Sequence, residues 1–307
     1  MNGAATVPRG QRPPTFDAVE VGMELGPARV VADEHLVRAY SFAQDDYNPW
    51  YYEASPFSKP MVPPGMLANE LLLLYYYQFR QADCTAIHTH EQLSFHDALF
   101  HDEHVVITGR YVEKYTRREN GYVVIESEAR TDDGRLLATH RGTEIMEGRL
   151  ASIKDSPARP AEHLESVVPV LRKLARSDQV AVFSNIGKQQ KNIHNDAAFA
   201  HDAGLSQPVV QGMQQACYLI ELGTAAFGAD MLVSGTLDLR FISPLYVESA
   251  VDVGGSVTRQ DDHGGELDCW VSDGKGHIST VGTITVGSDT SSRAVRRDSA
   301  TRREDLS

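Results

Sequence analysis

The sequence predicts an α+β protein made of two copies of one unit, each an antiparallel sheet wrapped around a central helix. Three observations carry this prediction: an ordered internal repeat, one strongly apolar helix-like run per copy, and strand-like segments of alternating polarity separated by Gly-containing turns. "MVPPGM" (Met61 to Met66) matches "PVVQGM" (Pro208 to Met213), and each opens an apolar run. "FHDALFHDE" (Phe95 to Glu103) stands at nearly the same distance from "FISPLYVES" (Phe241 to Ser249). "DDGRLLATHRGTEI" (Asp132 to Ile145) pairs with "SDGKGHISTVGTIT" (Ser272 to Thr285), each a turn followed by an alternating strand. Three matches in one order at nearly one offset point to duplication.

Taken in order along the chain, residues 1–15 are poor in apolar side chains and are expected to form a disordered tail. Residues 16–147 form the first unit. Within it, residues 65–79 are apolar on nearly every side, which predicts a helix enclosed by the sheet. "HVVITGRYVEKY" and "GYVVIESEAR" read as strands joined by the polar turn "TRREN". A polar, Pro-containing linker is expected over 148–166, the second unit over 167–286, and a second disordered tail over 287–307. Each unit is about the size at which a chain folds alone. Open sheet edges in each copy would be covered by pairing the two side by side.

The formal net charge of -13 excludes a nucleic-acid groove or an anionic membrane as the main partner, because both are bound through clustered Lys and Arg. Cys84, Cys217 and Cys269 are odd in number and widely separated, which suggests neither a disulfide framework nor a zinc site. A reducing cytoplasm fits this usage, and the N-terminal residues lack the pattern of a secretory leader. "MLANELLLLYYYQF" contains Glu70 and is shorter than the roughly 18 residues that a membrane span requires.

The loop "QQKNIHND", the Pro-Val-x-x-Gly-Met helix start and the strand "RFISPL" together resemble the MaoC-like hydratases and dehydratases, of the R-specific enoyl-CoA hydratase type with a double hot-dog fold. The resemblance runs from about Phe16 to Val286 and touches both units. It implies hydration or dehydration of enoyl thioesters, by an Asp and a His from a motif similar to Gly-Asp-x-Asn-Pro-Ile-His. Such a reaction needs a base for water, an acid for the α carbon and a holder for the enolate oxygen. A helix N-terminus serves the last need through its unpaired N–H groups. Gly212, or Gly65 in the first unit, fits that place because Gly admits a ligand close to the backbone.

Carried over residue by residue, the motif gives two incomplete copies. In the second unit His194 matches the family His, while Gln189 stands for the Asp and Lys191 for the Asn. In the first, Asp46, Asn48 and Pro49 match and Tyr51 replaces the His. Gln exchanges no proton near neutral pH and at most positions water, and Tyr, with an ordinary pKa of about 10, is a poor base.

The readings left open are His194 with Gln189, Asp46 with Tyr51, a composite of Asp46 and His194, and a pocket turned to another lyase or isomerase reaction on an acidic substrate held by Lys188 or Lys191. An accessory subunit that binds an acyl thioester without turning it over is the non-enzymatic alternative. Arg240, and Lys114, Arg117 and Arg118, are candidate contacts for a coenzyme A tail.

Asp196 reads as the N-cap of the next helix. His88 and His90, spaced to share one face of a surface strand, invite a metal reading, but no carboxylate or Cys pattern accompanies them and none is expected. No cofactor is implied. The partner is a small acyl thioester on CoA or a carrier protein, with a homodimer or hetero-oligomer open.

Overall fold

In a computed structural model the chain is described over residues 12–80, 86–147, 168–186, 191–261 and 264–287. Ten strands form one antiparallel sheet in the order β1-β3-β4-β5-β2-β7-β10-β9-β8-β6. The first unit supplies β1 (Glu24–Val31), β2 (Ile87–Phe95), β3 (His104–Arg117), β4 (Asn120–Thr131) and β5 (Leu136–Glu147). The second supplies β6 (Leu171–Leu174), β7 (Thr236–Phe241), β8 (Ala250–Asp261), β9 (Gly264–Asp273) and β10 (Ile278–Gly287).

The units join where β2 pairs with β7, and there Glu91 faces Leu239 while Leu93 faces Leu237. Aligning the "FHD" and "FIS" repeats exchanges these two pairs, so a pseudo-twofold axis passes between the strands. The joint seals the inner edges that each copy would otherwise expose.

The inner face of the sheet holds two helices, α2 (Gly65–Leu72) and α5 (Gly212–Phe227). Smaller helices flank them: α1 (Glu34–Gln44), α3 (Ser177–Asn185), α4 (Ala197–Asp202) and α6 (Asp230–Ser234). Both central helices are apolar around most of their circumference because sheet, loops and the opposite helix cover them on all sides. Met66, Leu67, Leu71, Met213, Leu219 and Ile220 are each at most 2% exposed. Full burial of one such side chain stabilises by roughly 1.5–3 kcal/mol. The helices meet at Gly65, where a Cβ would lie 2.6 Å from Cys217 Sγ, so only Gly allows this approach.

The expected helix over 65–79 is α-helical only to Leu72 and continues as a 3-10 helix from Leu73 to Tyr77. Leu73, Leu74, Tyr75 and Tyr76 are all buried there, so packing rather than a polar stripe sets the local pitch. The chain near its start is tied in at Arg12, whose backbone bridges to that around Phe79. The strand pair read from the sequence is present as β3 and β4. The expected linker over 148–166 lies outside the described residues, as does the C-terminal stretch beyond 287. Among the described residues no helix is long and apolar enough to cross a membrane.

His88 and His90 do not share a face. The β2–β5 register shifts between them, leaving Thr89 as an extra residue, so His88 turns inward and His90 outward. His90 pairs with Asp238 at 2.8 Å on the outer side. His88 joins a buried carboxylate instead, with Nε2 3.1 Å from Glu91 Oε2. A bulge is invisible to strict alternation, which explains the difference from the surface placement expected above.

Candidate active site

In the second unit the loop before α4 is built from its asparagines. Asn195 donates from Nδ2 to Ser184 Oγ at 3.0 Å and to Asn185 Oδ1 at 3.1 Å, fastening the loop to α3. Asn192 accepts from the His194 N–H at 2.9 Å, and Asn195 accepts from the Asn192 N–H at 2.9 Å. Asp196 caps α4 by accepting from Phe199 N–H at 2.9 Å. His194, held by these contacts, places Nδ1 2.7 Å from the Val209 carbonyl. A carbonyl only accepts, so Nδ1 carries the proton of the neutral ring and Nε2 is the basic nitrogen.

The same contact ties His194 to the start of α5. Val209 N–H donates back to Ile193 O at 3.2 Å, and Val210 N–H donates to Leu245 O at 2.8 Å, so residues 209–211 form a strap leading into Gly212. Gln211, the N-cap residue, is extended and no side chain caps the helix. The first N–H groups of this sixteen-residue helix therefore have neither an intrahelical partner nor a side-chain cap. Phe241 covers Gly212 closely: a Cβ there would lie 3.2 Å from the ring.

The matching site in the first unit is differently occupied. Asp46 Oδ1 accepts from Asn48 N–H at 3.2 Å, and Oδ2 accepts from the Tyr51 hydroxyl at 2.7 Å. Asn48 caps the next short turn through Trp50 N–H at 3.0 Å. Burial pushes the Asp46 carboxyl above its ordinary range, against the pull of Tyr51 and Lys173, and burial beside Asp46 pushes the Tyr51 hydroxyl well up. At the start of α2, Met66 N–H donates to Pro63 O at 3.0 Å and Leu67 N–H to Pro64 O at 3.2 Å. Two N–H groups of this helix end are thus taken up by its own turn, and Cys217 packs against Gly65.

A charged clasp crosses from the second unit into this region. Lys173 on β6 donates to the Gln44 and Asp45 carbonyls at 2.9 and 3.0 Å and pairs with Glu221 of α5 at 2.7 Å. Burial pushes Glu221 up to about 7 despite Lys173. By the repeat, the positions of Lys173 and Glu221 correspond to Val30 and Leu74 in the first unit. The clasp thus occurs on one side only, and sequence reading missed it because it needed the register of β6 on β8.

The structure therefore groups His194 with Gly212, and Asp46 with Asn48 and Tyr51. Lys191 is exposed and paired with Asp196 at 2.8 Å. Arg240 lies on the outer face of β7 beside Asp238, opposite the inward Leu237 and Leu239, and is not brought to the helix start. Gln189 and Lys188 lie outside the described residues. Among the described residues no group of three or more His, Cys, Asp or Glu is placed to hold a metal ion.

Two joined sheet-and-helix units of this topology define a double hot-dog protein. No family model matches the sequence, and no curated protein matches it. Solved structures do match. A MaoC-like dehydratase superposes with a TM-score of 0.72 at 14% identity, covering 89% of this chain and 99% of the other. The full-length peroxisomal multifunctional enzyme type 2 of Drosophila melanogaster gives 0.66 at 17% identity, covering 86% of this chain and 48% of that one. A conserved hypothetical protein of Mycobacterium tuberculosis, described as having a double hotdog fold, gives 0.61 at 12% identity, covering 89% and 97%. The chain shares the fold of the MaoC-like dehydratases.

Proposed function

We propose that this protein is a hydro-lyase of the MaoC-like type that adds water to enoyl thioesters, or removes it from β-hydroxyacyl thioesters, at the site in the second unit. The observation that carries this reading is the bond from His194 Nδ1 to Val209 O, which leaves Nε2 basic and ties His194 to a strap that opens directly into an uncapped helix. As water oxygen bonds to the β carbon, His194 Nε2 takes the water proton. The N–H groups at the start of α5 stabilise the negative charge that develops on the thioester oxygen. The protonated imidazole then delivers its proton to the α carbon, and the net change is water across the double bond. Gln189 is assigned to hold that water by hydrogen bonding.

The first unit is assigned a structural role. Its carboxylate is taken up by a turn and by Tyr51, and two N–H groups at its helix start are taken up by their own turn. The same consumption of one motif copy supports the second reading, an accessory subunit that binds an acyl thioester and pairs with an active partner.

Hydration of CoA thioesters of α,β-unsaturated acids of graded length, followed by loss of the conjugated chromophore, separates the two. Turnover is expected, with Gln189→Asp raising kcat by about tenfold as a second proton-transfer group enters the loop. Binding of the saturated thioesters without turnover of any unsaturated one leaves the accessory reading.

A further inference from the structure

A line of buried polar side chains crosses the inner face of the sheet from α2 to the neighbourhood of α5. Ser127 Oγ donates to the Leu71 carbonyl of α2 at 3.1 Å and accepts from His140 Nδ1 at 2.9 Å. His140 Nε2 lies 3.0 Å from Glu91 Oε2, and His88 Nε2 lies 3.1 Å from the same oxygen and from His90 O. Gly142 makes room, since a Cβ there would meet His140 Nε2 at 2.7 Å and Glu91 Oε2 at 3.4 Å.

The side chains of Glu91 and His140 are 0% exposed. Burial works to raise the Glu91 carboxyl, but His140 and His88 prevail and hold it below its ordinary range. Because the Ser127 proton is committed to the Leu71 carbonyl, His140 Nδ1 donates to Ser127 Oγ.

The fold does not require this line. In the duplicated unit the positions of Glu91, His140, Glu144 and Ser127 are filled by Leu237, Thr280, Ile284 and Val271, all buried and none charged, with the Thr280 hydroxyl donating to Gln215 Oε1 at 2.7 Å. Burying ionised groups in place of such residues is generally unfavourable.

The line ends at His88, whose side chain is 9% exposed. With Nε2–H committed to His90 O and Glu91, the ring is left with Nδ1, which is buried and has no hydrogen-bonding partner among the described residues. Leaving a polar atom buried and unpaired is unfavourable. The His88 ring lies 4.7 Å from the Phe241 ring, and that is the ring covering Gly212 at the start of α5. One aromatic side chain thus separates the end of the line from the helix assigned to the thioester oxygen.

We propose that His88, oriented by Glu91 and His140, forms a subsite for a neutral oxygen function on the acyl chain, so that the protein selects keto- or hydroxy-substituted acyl thioesters over plain alkyl ones. This rests on the acyl-thioester reading above. Burial works against a charged His88 imidazole, but the two carboxylates facing it, Glu91 beside it and Glu144 opposite it on β5, prevail and hold it toward the charged form, so Nδ1 donates to the ligand oxygen. Phe241 keeps the subsite apart from the reacting carbons, which makes His88 a specificity residue and not part of the proton transfer.

The test is calorimetric binding of a saturated ten-carbon acyl-CoA beside its monoketo analogues substituted at successive distal carbons. Wild-type protein is expected to bind at least one keto analogue roughly tenfold more tightly than the plain chain, the gain from about 1.4 kcal/mol. His88→Phe keeps a ring against Phe241 but should reduce that preference to less than about twofold, and His88→Asn, which retains a nitrogen near the Nδ1 position, should keep part of it. If His88→Phe does not fold, the wild-type preference and His88→Asn still decide. Equal binding of plain and keto chains by wild type, or a preference that survives His88→Phe, overturns the subsite and leaves the hydro-lyase reading standing. Failure of every thioester to bind overturns both.

Discussion

Glu91→Ala is expected to destabilise the protein by about 3–5 kcal/mol near neutral pH, because it leaves His88 and His140 buried beside each other without the carboxylate between them. For a chain of this size that lowers Tm by roughly 10 °C. Replacing the line with the residues that the other unit uses, as Glu91→Leu, His140→Thr, Glu144→Ile and Ser127→Val together, should bring Tm back to within a few degrees of wild type. An entire buried ionic set can be exchanged for packed apolar residues at little or no cost, whereas one member cannot be removed alone. Thermal unfolding of both variants checks the pair. A wild-type Tm for Glu91→Ala would mean that the imidazoles need no carboxylate, and a combined variant as unstable as the single one would mean that the line supports the fold.

His194→Ala is expected to lower kcat for thioester hydration at least about a hundredfold while leaving Tm nearly unchanged. The loop around it is held by bonds of Asn192 and Asn195 to main-chain N–H groups and to α3. Asp46→Asn should change kcat/KM by less than about threefold, since Asn keeps an oxygen for the Asn48 N–H and offers its amide to Tyr51. Steady-state rates for the two variants side by side check this. The opposite ranking, with Asp46→Asn inactive and His194→Ala unaffected, would move the chemistry into the first unit.

Much of the architecture was legible in the sequence because duplication leaves a signature that no single strand provides. The paired "GM" helix starts, the "FHD" and "FIS" turns and the alternating strands after each Gly turn map onto α2 and α5, onto the ends of β2 and β7, and onto β5 and β10. Asp196 as a helix cap was legible too, from local chemistry alone. The inward turn of His88 was not, because one extra residue at Thr89 reverses the face of everything before it. Glu91 had a signal that went unread: its repeat partner is Leu237, and a charged residue in register with a core Leu marks a position where something other than packing is selected. The Lys173–Glu221 clasp depends on strand register and on a helix crossing, neither of which periodicity encodes.

Catalysis at the proposed site requires the thioester oxygen to sit at the start of α5. Isotope-edited infrared spectroscopy of a saturated acyl-CoA labelled at its thioester carbonyl reads this directly, since hydrogen bonds from helix N–H groups weaken the C=O bond. The predicted result is a carbonyl band moved to lower frequency on binding to wild-type protein and moved equally in Asp46→Asn. A bound ligand whose carbonyl band stays where it is in water, or a shift that disappears in Asp46→Asn, would contradict it.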